Sequence, residues 1–162
     1  MEEVLVNLVK NIPPELGVVI ISMIPVGELR AAIPIGLGVF GLDWKVVLFL
    51  AVIGNMIPVV FILYLLDPFY KFTRKVKMFD RFYTWLFERT RKRFYEKHKA
   101  GGDFALIFLV AIPLPMTGAW TGALAAWLFG IRLKMALPLI FVGVIMAGVI
   151  VTIFSMGVIS IF

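Results

Sequence analysis

Cysteine is absent from the 162 residues. That excludes disulfides and thiolate metal sites, and it leaves the redox compartment open. Charge is scarce too, at 16% of residues against 62% hydrophobic, where a soluble domain carries about a quarter charged and half apolar. The mean hydropathy of +1.02 points the same way, toward an all-α integral membrane protein in a single membrane domain. Histidine occurs once, as His98 between Lys97 and Lys99, and reads as a solvated surface residue rather than a ligand. No hydrolase triad, metal-ligand cluster or phosphate loop can be assembled; Gly27 and Gly36-Leu37-Gly38 fit no nucleotide fingerprint. An enzyme, a bound cofactor and a resident metal are therefore not expected. Met1-Glu2-Glu3 carries acids where a cleavable leader carries positive charge, so the N-terminus is expected to be retained.

What is present falls into segments. Residues 1–15 have roughly helix-spaced Val4, Leu5, Leu8, Val9 and Ile12 ahead of Pro13-Pro14, the pattern of a short interfacial helix. Residues 16–66 form a first unit and residues 104–162 a second. Each begins with a proline- and glycine-broken apolar block, Leu16 to Leu42 and Phe104 to Ile131. Each continues into a long uncharged one, Val46 to Leu66 and Met135 to Phe162. About 20 apolar residues span a bilayer, so both long blocks qualify as transmembrane helices.

The broken blocks are either single kinked spans or re-entrant hairpins. Leu16 to Val26 makes roughly 16 Å of helix, about half of a 30 Å hydrocarbon core, and Glu28 to Phe40 makes roughly 20 Å, enough to return. The second broken block gives the same half-depth lengths. The expected turns are Pro25, Gly27 and Pro34 in the first block and Pro113, Pro115 and Gly118 in the second. Irregular backbone at that depth must be buried in protein or line a wet cavity.

Between the units, residues 67–103 hold eleven Lys/Arg and five acids, which accounts for the whole net charge of +6. Phe69, Phe72, Val76, Phe79, Tyr83 and Leu86 recur at spacings of three and four. A basic amphipathic helix on the anionic inner leaflet is the natural reading, cytoplasmic by the positive-inside rule. Nucleic acid is not an expected partner of so apolar a chain; membrane lipids are.

The units also align with each other. Ile24-Pro25 matches Ile112-Pro113; with one inserted residue, Phe40-Gly41 matches Phe129-Gly130, Lys45 matches Lys134 and Gly54 matches Gly143. If each unit is a hairpin plus one span, the second runs inverted relative to the first, as in many secondary transporters. Arg132 and Lys134 then join the linker on the cytoplasmic side, which places 13 of the 16 Lys/Arg inside. Both termini fall outside. Four full spans would instead put Arg132 and Lys134 outside.

Glu28 and Arg30 are the only charges between Leu16 and Leu42, and ionisable groups inside a membrane segment mark a functional site by default. Arg30 would bind an anionic group while Glu28 exchanges a proton or cation; alternatively the two form a structural network that locks the hairpins together. Thr117 and Thr121 lie four apart on one helix face beside Trp120, and can serve a ligand headgroup or back-bond to their own helix. Asn55, mid-span, must either line a cavity or bond across helices. Rows such as Gly118-xxx-Gly122 and Ala32-xxx-Gly36 suit close packing within the chain or in a homodimer.

Residues 25–34 (Pro-Val-Gly-Glu-Leu-Arg-Ala-Ala-Ile-Pro) together with residues 113–122 (Pro-Leu-Pro-Met-Thr-Gly-Ala-Trp-Thr-Gly) resemble the small multidrug export family, itself similar to the larger DedA/VTT superfamily. The resemblance implies two inverted re-entrant hairpins, each followed by a spanning helix. It also implies movement of lipids, polyprenyl phosphates among them, with Glu28, Arg30, Thr117 and Thr121 at the hairpin motifs. The leading expectation is a transporter or lipid flippase for an amphipathic anion, coupled to a proton or sodium gradient. The alternatives are a small-molecule exporter and a non-transporting scaffold acting through the basic linker.

Overall fold

The computed structural model describes residues 12–73, 75, 80, 81, 84, 105–112 and 118–161, without the side chains of the last three. Among these residues all regular structure is helical. Helix α1 (Pro14–Met23) leads through a turn at residues 24–27 into α2 (Glu28–Pro34), which passes into a π-helical turn at Ile35–Val39. Helix α3 (Trp44–Thr73) is the first long apolar helix. In the second unit α4 (Ala105–Ala111) and α5 (Ala119–Phe129) precede α6 (Leu133–Ile161), the second long one. Both α3 and α6 are long and apolar enough to cross a bilayer. The surface agrees, since Phe49, Phe61, Phe72, Ile153 and Phe154 are all exposed, which lipid tolerates and water does not.

Breaks occur where the covalent chemistry demands them. Pro34 has no N–H to donate to the Arg30 carbonyl, and the backbone widens to π geometry immediately after it. Both return helices stop at a Phe-Gly pair, with Gly41 at φ +63 and Gly130 at φ +74, the left-handed region that a Cβ disfavours. Helix α3 runs on through Asp67 and Pro68 to Thr73, seven residues past the point where the charge pattern places the start of the linker. Most of the linker, residues 1–11 and the second turn with Pro113, Pro115 and Thr117 lie outside the described residues.

Helices α1 and α4 each lie along the long helix of their own unit, α3 and α6 respectively. Helix α2 packs about equally on both long helices, while α5 packs mainly on α3. The aligned glycines sit at equivalent contacts. A Cβ on Gly54 would strike the carbonyl of Val19 and the side chain of Ser22. A Cβ on Gly143 would strike the carbonyl of Ile107 and the side chain of Val110. Val19 and Ile107 each stand five residues before the Pro-preceding Ile of their unit, and Ser22 and Val110 two before it. Lipid supplies no hydrophobic drive between helices, so such close backbone approach is the main source of their attraction.

Two contacts set the levels of the chain. Gly36 lies against Val18 and Val47, so the π-helical turn sits beside the first half of α1 and the first turn of α3. Trp127 Nε1 donates to Asp67 Oδ1 at 2.9 Å, so the end of α5 lies beside α3 about two turns before its end.

A carboxylate held by the helix of the other unit

Glu28 is the first residue of α2, only 6% exposed, and its φ of +50 is unusual for a residue with a side chain. That backbone conformation sends the carboxylate out of its own helix and across to the second unit. There the Trp120 N–H donates to Glu28 Oε1 at 3.4 Å, and the Ala119 N–H faces the same group. These are the first amides of α5, which no carbonyl within the helix can satisfy. The first unit's carboxylate thus caps the second unit's return helix, where the helix dipole favours negative charge.

Gly118 makes the approach feasible. Its φ of +153 is closed to most residues, and any Cβ there would overlap the Glu28 carboxylate. Half-buried Arg30 stands two residues further along α2, with its charge acting on Glu28. Asn55, wholly buried on α3, faces the same carboxylate and interacts with it, though neither its Nδ2 nor its Oδ1 reaches a partner at full hydrogen-bond geometry. Pro58, one residue short of a turn further on, has no N–H for the Gly54 carbonyl, which thins the helix ladder at this level. Buried polar groups ordinarily find partners, so an orphaned amide pointing at a carboxylate marks a place where another polar group can lodge.

Of the residues singled out in the sequence, the structure gathers Glu28, Arg30, Asn55, Gly118 and Trp120 around one point. Thr121 is near, but its hydroxyl donates to the Gly118 carbonyl at 3.0 Å and so braces the first turn of α5. Pro25 and Gly27 form the turn ahead of Glu28, and Pro34 lies one and a half turns beyond it. What sequence reasoning missed is the pair of α5 backbone amides. The available signal was Gly118 immediately ahead of a helix with no Ser, Thr, Asp or Asn to cap it.

Beside this point opens a groove of about 820 Å³, walled by Met23 of α1, by α3 from Ile57 to Phe69, and by Trp120 and Leu124 of α5. Its lining is apolar, and it opens at the surface beside exposed Phe61, Leu65 and Phe69. From Ile57 to Phe69 it runs roughly 18 Å along α3. Trp120 joins the two features, since its N–H meets Glu28 and its ring lines the groove; its indole Nε1 is buried without a partner. Among the described residues no group of His, Cys, Asp and Glu could hold a metal ion.

Residues 28–150 match the model of a family described as "Putative small multi-drug export protein". The chain belongs to this family. The match begins at Glu28 itself and takes in α2 through most of α6, hence both halves of the site. Among curated proteins and among solved structures nothing matches. With two apolar helices of spanning length and a family described by export, this is a membrane protein, and that description names no enzyme activity.

Proposed function

We propose that the protein is a secondary transporter, built as an inverted repeat of two re-entrant hairpins, that carries an amphipathic anion past Glu28. The packing of α2 between both long helices and of α5 mainly on α3, the equivalent Gly54 and Gly143 contacts and the Asp67–Trp127 bond support the architecture. A full span from α4 through α5 would carry Trp127 to the opposite face from Asp67. The linker then lies in the cytoplasm with Arg132 and Lys134, and both termini lie outside.

The observation that carries the function is the Glu28 carboxylate on the amides of Ala119 and Trp120. It occupies a place built for an anion, flanked by Arg30 and an unpartnered Asn55. A substrate phosphate or carboxylate competes with Glu28 for those donors, and protonation of Glu28 releases them. The hydrocarbon body of the substrate, a polyprenyl phosphate for example, lies in the groove beside Trp120. Because the anion binds when Glu28 is protonated, substrate and proton move together, and an inward proton gradient drives the anion toward the linker side.

A second reading follows from the family's export description together with the aromatic ring of Trp120 in the groove. A lipophilic cation and a proton would compete for Glu28. Mutually exclusive occupancy gives antiport, hence export. Proteoliposomes under an imposed pH gradient separate the two. On the anion reading, Glu28→Gln carries labelled anion without regard to the gradient, and Arg30→Ala weakens anion uptake about tenfold. On the cation reading, Glu28→Gln abolishes movement and Arg30→Ala spares it. Failure to move either class of probe under proton or sodium gradients would sink both.

A further inference from the structure

The seam between α3 and α5 does not end with the apolar groove. Adjoining its linker end lies a recess of about 430 Å³, lined by Asp67 and Tyr70 of α3, Trp127 of α5, and Gly130 through Leu133 at the start of α6. The groove ends at Leu66 and Phe69 on α3 and at Leu124 on α5. Thus the same two helices carry an apolar slot and then a polar pocket, in the order in which a lipid presents chain and headgroup. Tyr70 and Trp127, ring centroids 5.8 Å apart and edge to face, are the residue types that settle at headgroup depth. Asp67 marks the point where the uncharged run of α3 ends.

Charge decides what kind of head fits. Asp67 and Arg132 line the same recess and, among the described residues, are not ion-paired with each other; the Asp67 carboxylate is oriented by the Trp127 indole. A lone anion would meet the Asp67 charge and a lone cation would meet Arg132. A zwitterion satisfies both. We propose that this recess binds the headgroup of a phosphoethanolamine-type phospholipid from the linker-side leaflet, its phosphate on Arg132 and its ammonium on Asp67, with one acyl chain in the groove toward Trp120. A phosphocholine head has no N–H to give Asp67, and a phosphoglycerol head has no cation. The site does not depend on transport by Glu28; it uses only the seam.

The test uses the full chain in nanodiscs of phosphatidylcholine, doped with phosphatidylethanolamine bearing a photoreactive group on one acyl chain, with adducts mapped by mass spectrometry. Adducts are expected on the Phe61, Leu65 and Leu124 peptides. Asp67→Asn and Arg132→Gln should each lower them about fivefold, as loss of a charge-assisted contact implies, while Lys134→Gln leaves them unchanged. Phosphatidylcholine and phosphatidylglycerol probes should label the seam several-fold less, and soluble glycerophosphoethanolamine should not compete. Glu28→Gln should label like the parent chain, so failure of the transport reading leaves this one standing. Adducts spread evenly over lipid-facing Ile153 and Phe154, or a seam signal indifferent to headgroup and to both substitutions, would overturn the proposal. Retained tryptophan emission and monodisperse elution of each variant keep misfolding from imitating the expected loss.

Discussion

The first unit brings a carboxylate and a guanidinium to the start of α2; the second brings bare backbone amides to the start of α5. Their skeletons share a Phe-Gly stop at φ +63 or +74 and a long helix whose glycine receives the first helix of the unit. Their chemistries are complementary rather than repeated: one unit supplies an anion and the other the helix end that holds it. Two exact copies would give two of either. The difference leaves a single site between two similar units, and each prediction below attacks either the shared skeleton or the divided chemistry.

The largest effect is expected at the join. Gly118→Ala places a methyl group where the Glu28 carboxylate lies, in a backbone conformation that L residues avoid. Strain and displacement together should cost about 3 kcal/mol. Thermal unfolding in detergent should show it as the most destabilised of the five positions discussed. A parent-like melting temperature would mean that the two units are not held together here.

Gly54→Ala and Gly143→Ala examine the skeleton. Each introduces a Cβ against a backbone carbonyl of the first helix of the unit, which no rotamer change relieves, so each should cost about 2 kcal/mol by overpacking. The comparison lies in the ratio. Near-equal losses in the two units support a true structural repeat, whereas a large loss in one alone would reduce the alignment of Gly54 with Gly143 to coincidence.

Much of this skeleton is legible in the sequence. The two spans follow from uncharged length, the stops from Phe40-Gly41 and Phe129-Gly130, and the central importance of Glu28 from its isolation among apolar residues. The preference of α5 for the long helix of the other unit is not legible, because α5 is apolar on nearly every face and periodicity cannot say which long helix it prefers. Nor is the cap on α5, because its donors are main-chain groups that every residue carries. The positive φ of Glu28, which aims the carboxylate, leaves no trace in residue type. Asp67 reads as the first residue of a linker, yet α3 continues through it and its partner is an indole 60 residues on.

Glu28→Ala and Glu28→Gln separate cap from charge. Alanine leaves the first amides of α5 without an acceptor in a buried place, a loss of about 1–2 kcal/mol. Glutamine keeps an acceptor oxygen for the Trp120 N–H and should recover at least half of that stability. Equal destabilisation by both would show that the negative charge, through the helix dipole and Arg30, holds the units together, and not the hydrogen bonds alone.

The smallest effect on stability, and the most telling for function, belongs to Asn55. Its amide is wholly buried on α3 beside the carboxylate and meets no partner at full hydrogen-bond geometry. A residue kept for packing would lose stability on replacement. Here Asn55→Leu, close in volume and free of polar atoms, should leave the melting temperature unchanged or raise stability by about 1 kcal/mol, because an unsatisfied group is removed rather than a bond broken. Transport should nevertheless fall about tenfold, since the substrate head loses a hydrogen-bonding partner at the point where it displaces Glu28. Destabilisation with transport intact would invert this and make Asn55 an interhelical strut. The division of labour would then rest on Glu28, Arg30 and the α5 amides without a contribution from the long helix.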